Sequence, residues 1–360
     1  MPNITPLNQV LNADIQSIID DKTKPVGSLG QLEQLALQLA LIGQQKQQCF
    51  TSLLKIDLAK PRLLIFAGDH GINEHNLSIA PSAVTGQMVD NFLHGGAAIN
   101  CFCRTNDILF NVIDCGILSK VSNNTSDDSL LIEQRLGEGT ADFSKQPAMS
   151  ITQVKSGLAF GQQAVNKVLQ QGCRLLLLGE MGIANTSSAS AIMAALTEYS
   201  VEECVGVGTG ISAQQLENKV RLIEKALTRL PNNCVNVDTI LSEVGGFEIV
   251  QMVGAILAAA ENSVPIVIDG FIVSVAALAA ASINKHVADY LIFAHISQEK
   301  AHQLLLAKII PNDNIQPLLN LGLRLGEGTG AALALPIIQS AASFYNEMAS
   351  FDAAGVSLSE

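Results

Sequence analysis

The sequence lacks tryptophan and has few aromatic or charged side chains. Of 360 residues, only 4% are aromatic and 15% are charged, whereas 48% are hydrophobic. Acidic residues outnumber basic ones by 33 to 21, which gives a formal net charge of −12. Nucleic-acid binding relies on a basic surface, often with aromatic side chains on which bases stack, so this composition argues against a nucleic-acid partner. The large apolar fraction also excludes disorder as the main state.

Cysteine usage and the distribution of apolar residues indicate where the protein works. The seven cysteines include no Cys-x-x-Cys pair, which is typical of a reducing compartment where cysteines serve as small apolar side chains. The first residues lack the basic and apolar regions of a secretory signal. The longest apolar run, residues 264–283, is interrupted by Asp269-Gly270, which favours a buried strand, turn and helix over a membrane span. We therefore expect a cytoplasmic protein with no membrane span.

Short apolar runs that end in polar residues, in five of six cases with glycine, recur along the chain, each followed by an alanine-rich or amphipathic stretch. The runs are residues 63–67, 108–113, 175–178, 204–207, 264–268 and 291–294. This alternation predicts an α/β fold with a parallel sheet that helices cover on both faces. The chemistry of such folds lies beyond the carboxyl ends of the strands. We therefore expect six strand ends to meet at one crevice.

The sharpest motif is Gly326-Glu327-Gly328-Thr329-Gly330, which precedes a predicted helix. Glycines let the backbone approach a ligand closely, and the N–H groups of a helix start face an anion. If Glu327 is buried there, its pKa rises, which suits a general base near neutral pH. From the residues alone, a glycine-rich turn with a solvated glutamate is an equally good interpretation.

Two further glycine-rich turns are candidates for ligand contacts. Gly179-Glu180-Met181-Gly182 follows a predicted strand and precedes a helical stretch, and residue type alone favours Glu180 as a carboxylate that offsets a helix dipole over one that contacts a sugar. Gly206-Val207-Gly208-Thr209-Gly210 is a candidate phosphate cradle, for which Lys219 could supply a positive charge. Neither turn completes the Gly-x-Gly-x-x-Gly or P-loop motif, so a dehydrogenase or kinase is not supported. The other alternative to an enzyme of this fold is a non-catalytic protein that senses a nucleotide.

Two patterns are interpreted as structural. The six histidines form no metal motif such as His-Glu-x-x-His, so we interpret them as structural or loop residues and expect no metal site. The string Arg324–Thr329 is repeated as Arg135–Thr140. Because the glycine-alanine helix start is missing after the repeat, we expect Glu138 not to be catalytic.

Taken together, the motifs resemble those of the nicotinate-nucleotide–dimethylbenzimidazole phosphoribosyltransferase family. The segments that carry the resemblance are residues 24–30, 67–71, 81–85, 91–93, 95–100, 179–182, 208–210, 269–272 and 324–330. They follow the family's order over nearly the whole chain. One departure is Glu74-His75-Asn76-Leu77, where the family usually has a Gly-Val step.

The resemblance implies a fold, an assembly and a reaction. The fold is a Rossmann-like parallel sheet flanked by helices, with a small helical domain (residues 1–60 and 337–360) and a large catalytic domain (residues 61–336). The assembly is a homodimer. The reaction transfers the phosphoribosyl group of nicotinate mononucleotide to 5,6-dimethylbenzimidazole with inversion at the anomeric carbon, which releases nicotinate and forms α-ribazole 5′-phosphate for the lower ligand of cobalamin. It requires no cofactor.

The resemblance also implies a role for particular residues, with Glu327 as the general base. The implied contacts to the nucleotide, its phosphate and its ribose are Glu180, Gly182, Gly208, Gly210, Lys219, Ser297 and Gly326. The implied walls of the base pocket are Gln87, Met181 and Leu325. The sequence leaves open which base is used in the cell, and whether N-terminal residues such as Lys24 reach the site of the partner subunit.

Overall fold

The protein contains one central parallel sheet. The structure, a computed structural model, describes residues 3–45, 55–119, 121, 130–206, 210–231, 234, 236–310 and 316–357. Within these residues, six parallel strands follow the order β3-β2-β1-β4-β5-β6. The strands are β1 (Arg62–Gly68), β2 (Leu109–Gly116), β3 (Leu131–Glu133), β4 (Leu176–Met181), β5 (Ile266–Ile268) and β6 (Leu291–Phe293). This is the strand order of doubly wound nucleotide-binding sheets, whose winding reverses between the first and fourth strands.

Helices flank the sheet, which confirms the predicted α/β class. They are α1 (Asn12–Asp20), α2 (Gln31–Gln44), α3 (Ala83–Leu93), α4 (Ala98–Thr105), α5 (Ile151–Gln170), α6 (Asn185–Leu196), α7 (Val201–Cys204), α8 (Ala213–Leu227), α9 (Val237–Val244), α10 (Phe247–Glu261), α11 (Phe271–Ile283), α12 (Lys300–Ile309), α13 (Thr329–Glu347) and α14 (Phe351–Ala354). Consecutive residues of β1 from Leu63 to Phe66 are all fully buried. Because neighbouring strand residues face opposite sides, both faces of the sheet are covered. Among the described residues, no helix combines the length and the apolarity that a membrane span requires.

Helices α5 and α10 pack closely at two glycines. A Cβ atom at Gly161 would lie 1.9 Å from the carbonyl oxygen of Gln251, and one at Gly254 would lie 2.1 Å from the carbonyl oxygen of Leu158. Such contacts leave no room for a side chain, because protein interiors have the density of organic crystals. The close approach of the two backbones therefore fixes the position of α10 on the sheet, including the position of its first turn.

We expect Gly161→Ala to lower the apparent free energy of unfolding by about 1–3 kcal/mol, since the helices must separate to admit the methyl group. Gly43→Ala is the matched control: Gly43 is also helical, but no atom lies within 4 Å of its added Cβ. Gly43→Ala should leave the free energy of unfolding unchanged or raise it by up to about 1 kcal/mol. Urea denaturation followed by circular dichroism compares the two, and equal effects would disprove the tight contact.

Helix α13 runs without interruption through Pro336. A proline in a helix leaves the carbonyl four residues earlier without its usual donor. Here that carbonyl belongs to Ala332, and Asn106 Nδ2 donates to it at 3.3 Å. The predicted domain boundary between residues 336 and 337 falls inside this helix, and the division into two domains stays a prediction.

One of the six predicted strands is wrong, and one observed strand was not predicted. Residues 201–204 form α7, because Ser200 and Glu203 cap its start reciprocally. The predicted apolar run of residues 204–207 therefore begins at the last residue of a helix, and its residues 205 and 206 belong to no strand. Residue 207, the last of the run, lies outside the described part of the chain. The sixth strand is instead β3, which has three half-buried or exposed residues at the edge of the sheet and is too short to show a hydrophobic period.

Candidate active site

A cavity of about 300 Å³ lies at the carboxyl ends of β4, β5 and β6. The predicted site residues that line it are Glu180, Met181, Gly182, Lys219, Ser297, Leu325, Gly326 and Glu327. Two others do not. Gln87 is exposed on α3 while Met88 lines the cavity, because neighbouring helical residues point about 100° apart. Gly210 is exposed and its Cβ position faces open space, and Gly208 lies outside the described residues.

The loop that carries Glu327 is strained. Three consecutive residues have left-handed backbone conformations, with φ of 86° at Gly326, 64° at Glu327 and 85° at Gly328. A non-glycine residue in this region costs about 1–3 kcal/mol and persists only where its surroundings impose it. Here Glu327 N donates to the carbonyl oxygen of Glu180 at 3.3 Å, and Thr329 Oγ1 donates to that of Gly326 at 2.8 Å. The loop therefore presents the carboxylate in one orientation.

The Glu327 carboxyl group is held away from water. The residue is 5% exposed, and its Oε2 accepts a hydrogen bond from the backbone N of Ile99, at the start of α4, at 3.3 Å. Burial raises the pKa of Glu327, the bond from Ile99 opposes this, and the charge of Asp269 adds to the rise. Of the two interpretations that the sequence left open, the structure therefore shows the buried glutamate and not the solvated one. A carboxylate with a raised pKa is suited to accept a proton near neutral pH.

Glu180 is a second buried carboxyl group in the cavity. Asn185 Nδ2 donates to its Oε2. Burial raises the pKa of Glu180 to about 8, against the effect of this hydrogen bond, and the charges of Asp269, Glu248 and Glu327 add to the rise. At neutral pH Glu180 is therefore mainly protonated, and its hydroxyl can donate a hydrogen bond to a ligand oxygen.

Asp269 is a third buried carboxyl group, which was seen in the sequence as a strand end but not named as a site residue. Its Oδ1 accepts from the backbone N of Ala331, in the first turn of α13, at 3.0 Å. Nε2 of His295 lies 3.6 Å from the same oxygen. Asp269 and His295 both line the cavity. Asp269 thus joins the end of β5 to the helix that follows the Glu327 loop.

Lys219, on α8, brings a positive charge into the cavity. It is 1% exposed, and its Nζ donates to Thr186 Oγ1 on α6 at 2.8 Å. Burial lowers the pKa of Lys219 to about 8, although the charge of Glu299 opposes this. A buried ammonium group beside the start of a helix is suited to bind a phosphate.

A neutral histidine fixes the segment that carries Ser297. The backbone N of Ser297 donates to Nδ1 of His302 at 2.9 Å, and Nε2 of His302 lies 2.9 Å from Ser274 Oγ. Burial and the charge of His295 lower the pKa of His302 to about 3, so Nδ1 is free to accept. His302 is structural, as predicted, whereas His295 departs from that interpretation because it lines the cavity.

Much of the wall of the cavity is apolar. The hydrophobic residues that line it include Leu77, Ile79, Met88, Met181, Ile211, Phe271 and Leu325. Ile79 and Leu325 are 63% and 58% exposed, respectively. Exposed apolar side chains at a cavity rim mark a binding site for an apolar group. The cavity therefore combines a largely apolar wall with buried charged groups.

Comparison with known proteins decides the family. A protein-family model described as phosphoribosyltransferase matches residues 4–356 of the chain. The chain belongs to this phosphoribosyltransferase family. Two similar proteins, from Vibrio vulnificus and Photobacterium profundum, are each named nicotinate-nucleotide–dimethylbenzimidazole phosphoribosyltransferase. The first is 54% identical and covers 98% of this chain and 100% of its own length; the second is 55% identical and covers 96% of each.

A solved structure supports the same assignment. The crystal structure of CobT from Thermus thermophilus matches this phosphoribosyltransferase with a TM-score of 0.89 and 36% sequence identity. The match covers 97% of this chain and 99% of that one. The resemblance stated from the sequence motifs is therefore confirmed, and so is the α/β fold.

In this phosphoribosyltransferase, residues 135–140, which repeat the sequence of residues 324–329, have a structural role. Glu138 is exposed and does not line the cavity, in agreement with the expectation that it is not catalytic. Arg135 pairs with Asp114 at the end of β2 and donates to the carbonyl oxygen of Ile117 at 2.7 Å.

Lys24 forms an ion pair with Glu33 of its own chain at 2.8 Å.

Proposed function

We propose that this phosphoribosyltransferase transfers the phosphoribosyl group of nicotinate mononucleotide to 5,6-dimethylbenzimidazole, with release of nicotinate and formation of α-ribazole 5′-phosphate for the lower ligand of cobalamin. The names of the relatives supply the two substrates. The observation that carries the proposal is that a buried carboxyl group of raised pKa, Glu327, shares one cavity with a buried lysine, Lys219. This pairing provides a proton acceptor and a phosphate ligand for the same reaction.

Glu327 acts as the general base. In nicotinate mononucleotide the glycosidic nitrogen belongs to a pyridinium ring, so the bond to the anomeric carbon breaks with the electron pair moving to nitrogen, and the leaving group needs no proton. The unprotonated nitrogen of the benzimidazole forms the new bond to that carbon. Positive charge then develops on the benzimidazole, and Glu327 removes the proton from its other nitrogen. Attack opposite to the leaving group inverts the anomeric centre.

The other predicted residues position the substrates. Lys219 binds the 5′-phosphate together with the glycine-rich turn of Gly208 and Gly210. Glu180, with Gly182, Ser297 and Gly326, contacts the ribose and the rest of the nucleotide. The base pocket contains Met181 and Leu325, and we retain Gln87, the neighbour of Met88 on α3, as a proposed contact. Holding two substrates in line in a water-poor cavity supplies most of the rate enhancement.

We also propose that the enzyme is a cytoplasmic homodimer. The family resemblance supports the dimer, and the cysteine usage supports a reducing compartment. Analytical ultracentrifugation of the purified enzyme tests the dimer: a single species with twice the mass of the 38.0 kDa chain is expected.

Incubation of the enzyme with nicotinate mononucleotide and 5,6-dimethylbenzimidazole tests the proposed reaction. Liquid chromatography should detect equal amounts of nicotinate and a benzimidazole riboside phosphate, with negligible nicotinate when the base is omitted. Nicotinate release without the base would indicate a hydrolase. Binding of the nucleotide with no product under either condition would favour a nucleotide sensor.

The affinity for nicotinate mononucleotide should fall as the pH rises above about 8. Lys219, with a pKa of about 8, loses its positive charge there, and Glu180, also with a pKa of about 8, gains a negative one. Both changes disfavour a bound phosphate dianion. Isothermal titration calorimetry between about pH 7 and pH 9 should show the dissociation constant rising. A constant value over this range would contradict the assigned environment of the two groups.

A further inference from the structure

A fully buried ion pair that the proposed reaction does not use lies at the end of β1. Nε2 of His70 is 2.7 Å from Oε1 of Glu248, in the first turn of α10, and neither side chain is exposed. Nδ1 of His70 lies 3.0 Å from Ser188 Oγ on α6. The three residues therefore join a strand and two helices at the point where the winding of the sheet reverses.

The partners of both ring nitrogens favour a charged His70. Ser188 Oγ donates to the carbonyl oxygen of Gly245 at 3.3 Å, which leaves the hydroxyl oxygen to accept from Nδ1 of His70. Nε2 donates to the Glu248 carboxylate, which makes the ring an imidazolium. Burial acts to lower the pKa of His70, but the charge and hydrogen bond of Glu248 and the charge of Asp69 together raise it. An imidazolium with no access to solvent orients its partners but cannot exchange protons with a substrate.

Other titratable groups pack against this pair. Directly after β1, Asp69 accepts from the backbone N of Leu118 at 2.8 Å. On β2, Cys115 is buried, and burial with the charges of Glu248 and Asp114 raises its pKa well above the usual value, so it stays a neutral thiol. Towards the cavity, the charge of Glu248 acts on Glu180. His70 is the cation that balances Glu248 at this position.

The first turn of α6 connects this ion pair to the cavity. Asn185, its first residue, donates to Glu180, and Thr186 accepts from Lys219. Ser188 follows in the same turn and is held by His70. The backbone preceding this turn also has little freedom, because a Cβ atom at Gly182 would lie 2.4 Å from the carbonyl oxygen of Gly68 at the end of β1. Any shift of Ser188 would therefore move the partners of Glu180 and Lys219 together.

We propose that His70 and Glu248 are positioning residues for the nucleotide half of the active site, and that they act through Ser188 on the first turn of α6. The inference rests on the proposed function, because it concerns how the cavity holds the ribose and phosphate of its donor substrate. It assigns no chemical step to His70. It predicts that breaking the link weakens binding of the nucleotide and leaves binding of the apolar base unchanged, since the base contacts other elements.

Two serines of α6 provide a matched pair of variants. Ser188 and Ser190 are both fully buried, and each makes a side-chain hydrogen bond to a backbone carbonyl, with Ser190 donating to Cys204 at 2.7 Å. Of these two serines, only Ser188 also contacts His70. Ser188→Ala removes the link and keeps the ion pair, whereas Ser190→Ala removes a comparable hydrogen bond away from the cavity. His70→Gln is less informative, because it leaves Glu248 buried without its partner and destabilises the fold.

The test measures both KM values of each variant and, by calorimetry, the dissociation constant of nicotinate mononucleotide, which does not require turnover. Ser188→Ala should raise the KM and dissociation constant for the nucleotide about three- to tenfold, the value of one buried hydrogen bond, with the KM for dimethylbenzimidazole unchanged. Ser190→Ala should change neither KM. Equal effects of the two variants would overturn the inference. A wild-type enzyme that binds the nucleotide but forms no product would instead overturn the proposed function, and the dissociation constants would still decide the inference.

Discussion

Replacing Glu327 by glutamine (Glu327→Gln) should lower kcat by about 10²–10⁴-fold, the usual contribution of a general base. The amide cannot accept the benzimidazole proton, so the positive charge that develops on the acceptor ring stays uncompensated. Glutamine has nearly the same size as glutamate and keeps an oxygen that can accept from Ile99 N, as Glu327 Oε2 does at 3.3 Å. The dissociation constant of nicotinate mononucleotide should therefore stay within about twofold of the wild-type value.

The repeated motif supplies the control for this variant. Glu138 occupies the same position as Glu327 in the other copy of the Arg-Leu-Gly-Glu-Gly-Thr string, but it is exposed and lies outside the cavity. Glu138→Gln should leave kcat and both KM values unchanged. A Glu327→Gln enzyme with wild-type kcat would refute the assigned base, and a loss of nucleotide binding in that variant would assign the residue a binding role instead.

Replacing Lys219 by methionine (Lys219→Met) produces the largest expected effect on binding. A hydrogen bond to a charged group contributes about 1.5–3 kcal/mol, so the KM for nicotinate mononucleotide should rise about tenfold to 10²-fold. Methionine has a similar length and suits the buried position, where the lysine side chain is 1% exposed. The fold should therefore persist, and kcat at saturating nucleotide should fall much less than kcat/KM.

Lys225 gives the matched control, because it lies on the same helix, α8, but is exposed. Lys225→Met removes the same charge from the same helix and should change the KM for the nucleotide by less than about twofold, as expected for a screened surface charge. Similar KM values for the two variants would show that Lys219 does not bind the phosphate. A lower kcat with an unchanged KM would place Lys219 in the chemical step instead.

Features that depend on local sequence were predictable. The glycines on each side of Glu327 predicted a tight turn before a helix, and the structure shows this turn with left-handed φ values at Gly326 and Gly328, which glycine adopts without strain. The position of Glu180 at a strand end also placed it at the carboxyl edge of the sheet. These residues lie in the cavity because the parallel topology brings the strand ends together, which the alternation of apolar and helical stretches already indicated.

Features that depend on long-range contacts could not be predicted in the same way. The pairing of Asp269 with His295 and Ala331 joins three separate elements, and no local pattern records it. The ion pair of His70 and Glu248 links residues 178 positions apart. At residues 204–207 the apolar run misled the prediction, because the reciprocal cap of Ser200 and Glu203 places the start of this run in a short helix.

The anomeric configuration of the product tests the central claim most directly, namely that one cavity holds both substrates for a single in-line displacement. The product of nicotinate mononucleotide and 5,6-dimethylbenzimidazole should be isolated and its anomeric proton assigned by nuclear magnetic resonance, with cross-relaxation to the ribose protons identifying the face that carries the base. The account predicts the α-riboside alone. A β-riboside would require retention, and so a second displacement that this arrangement of substrates does not allow.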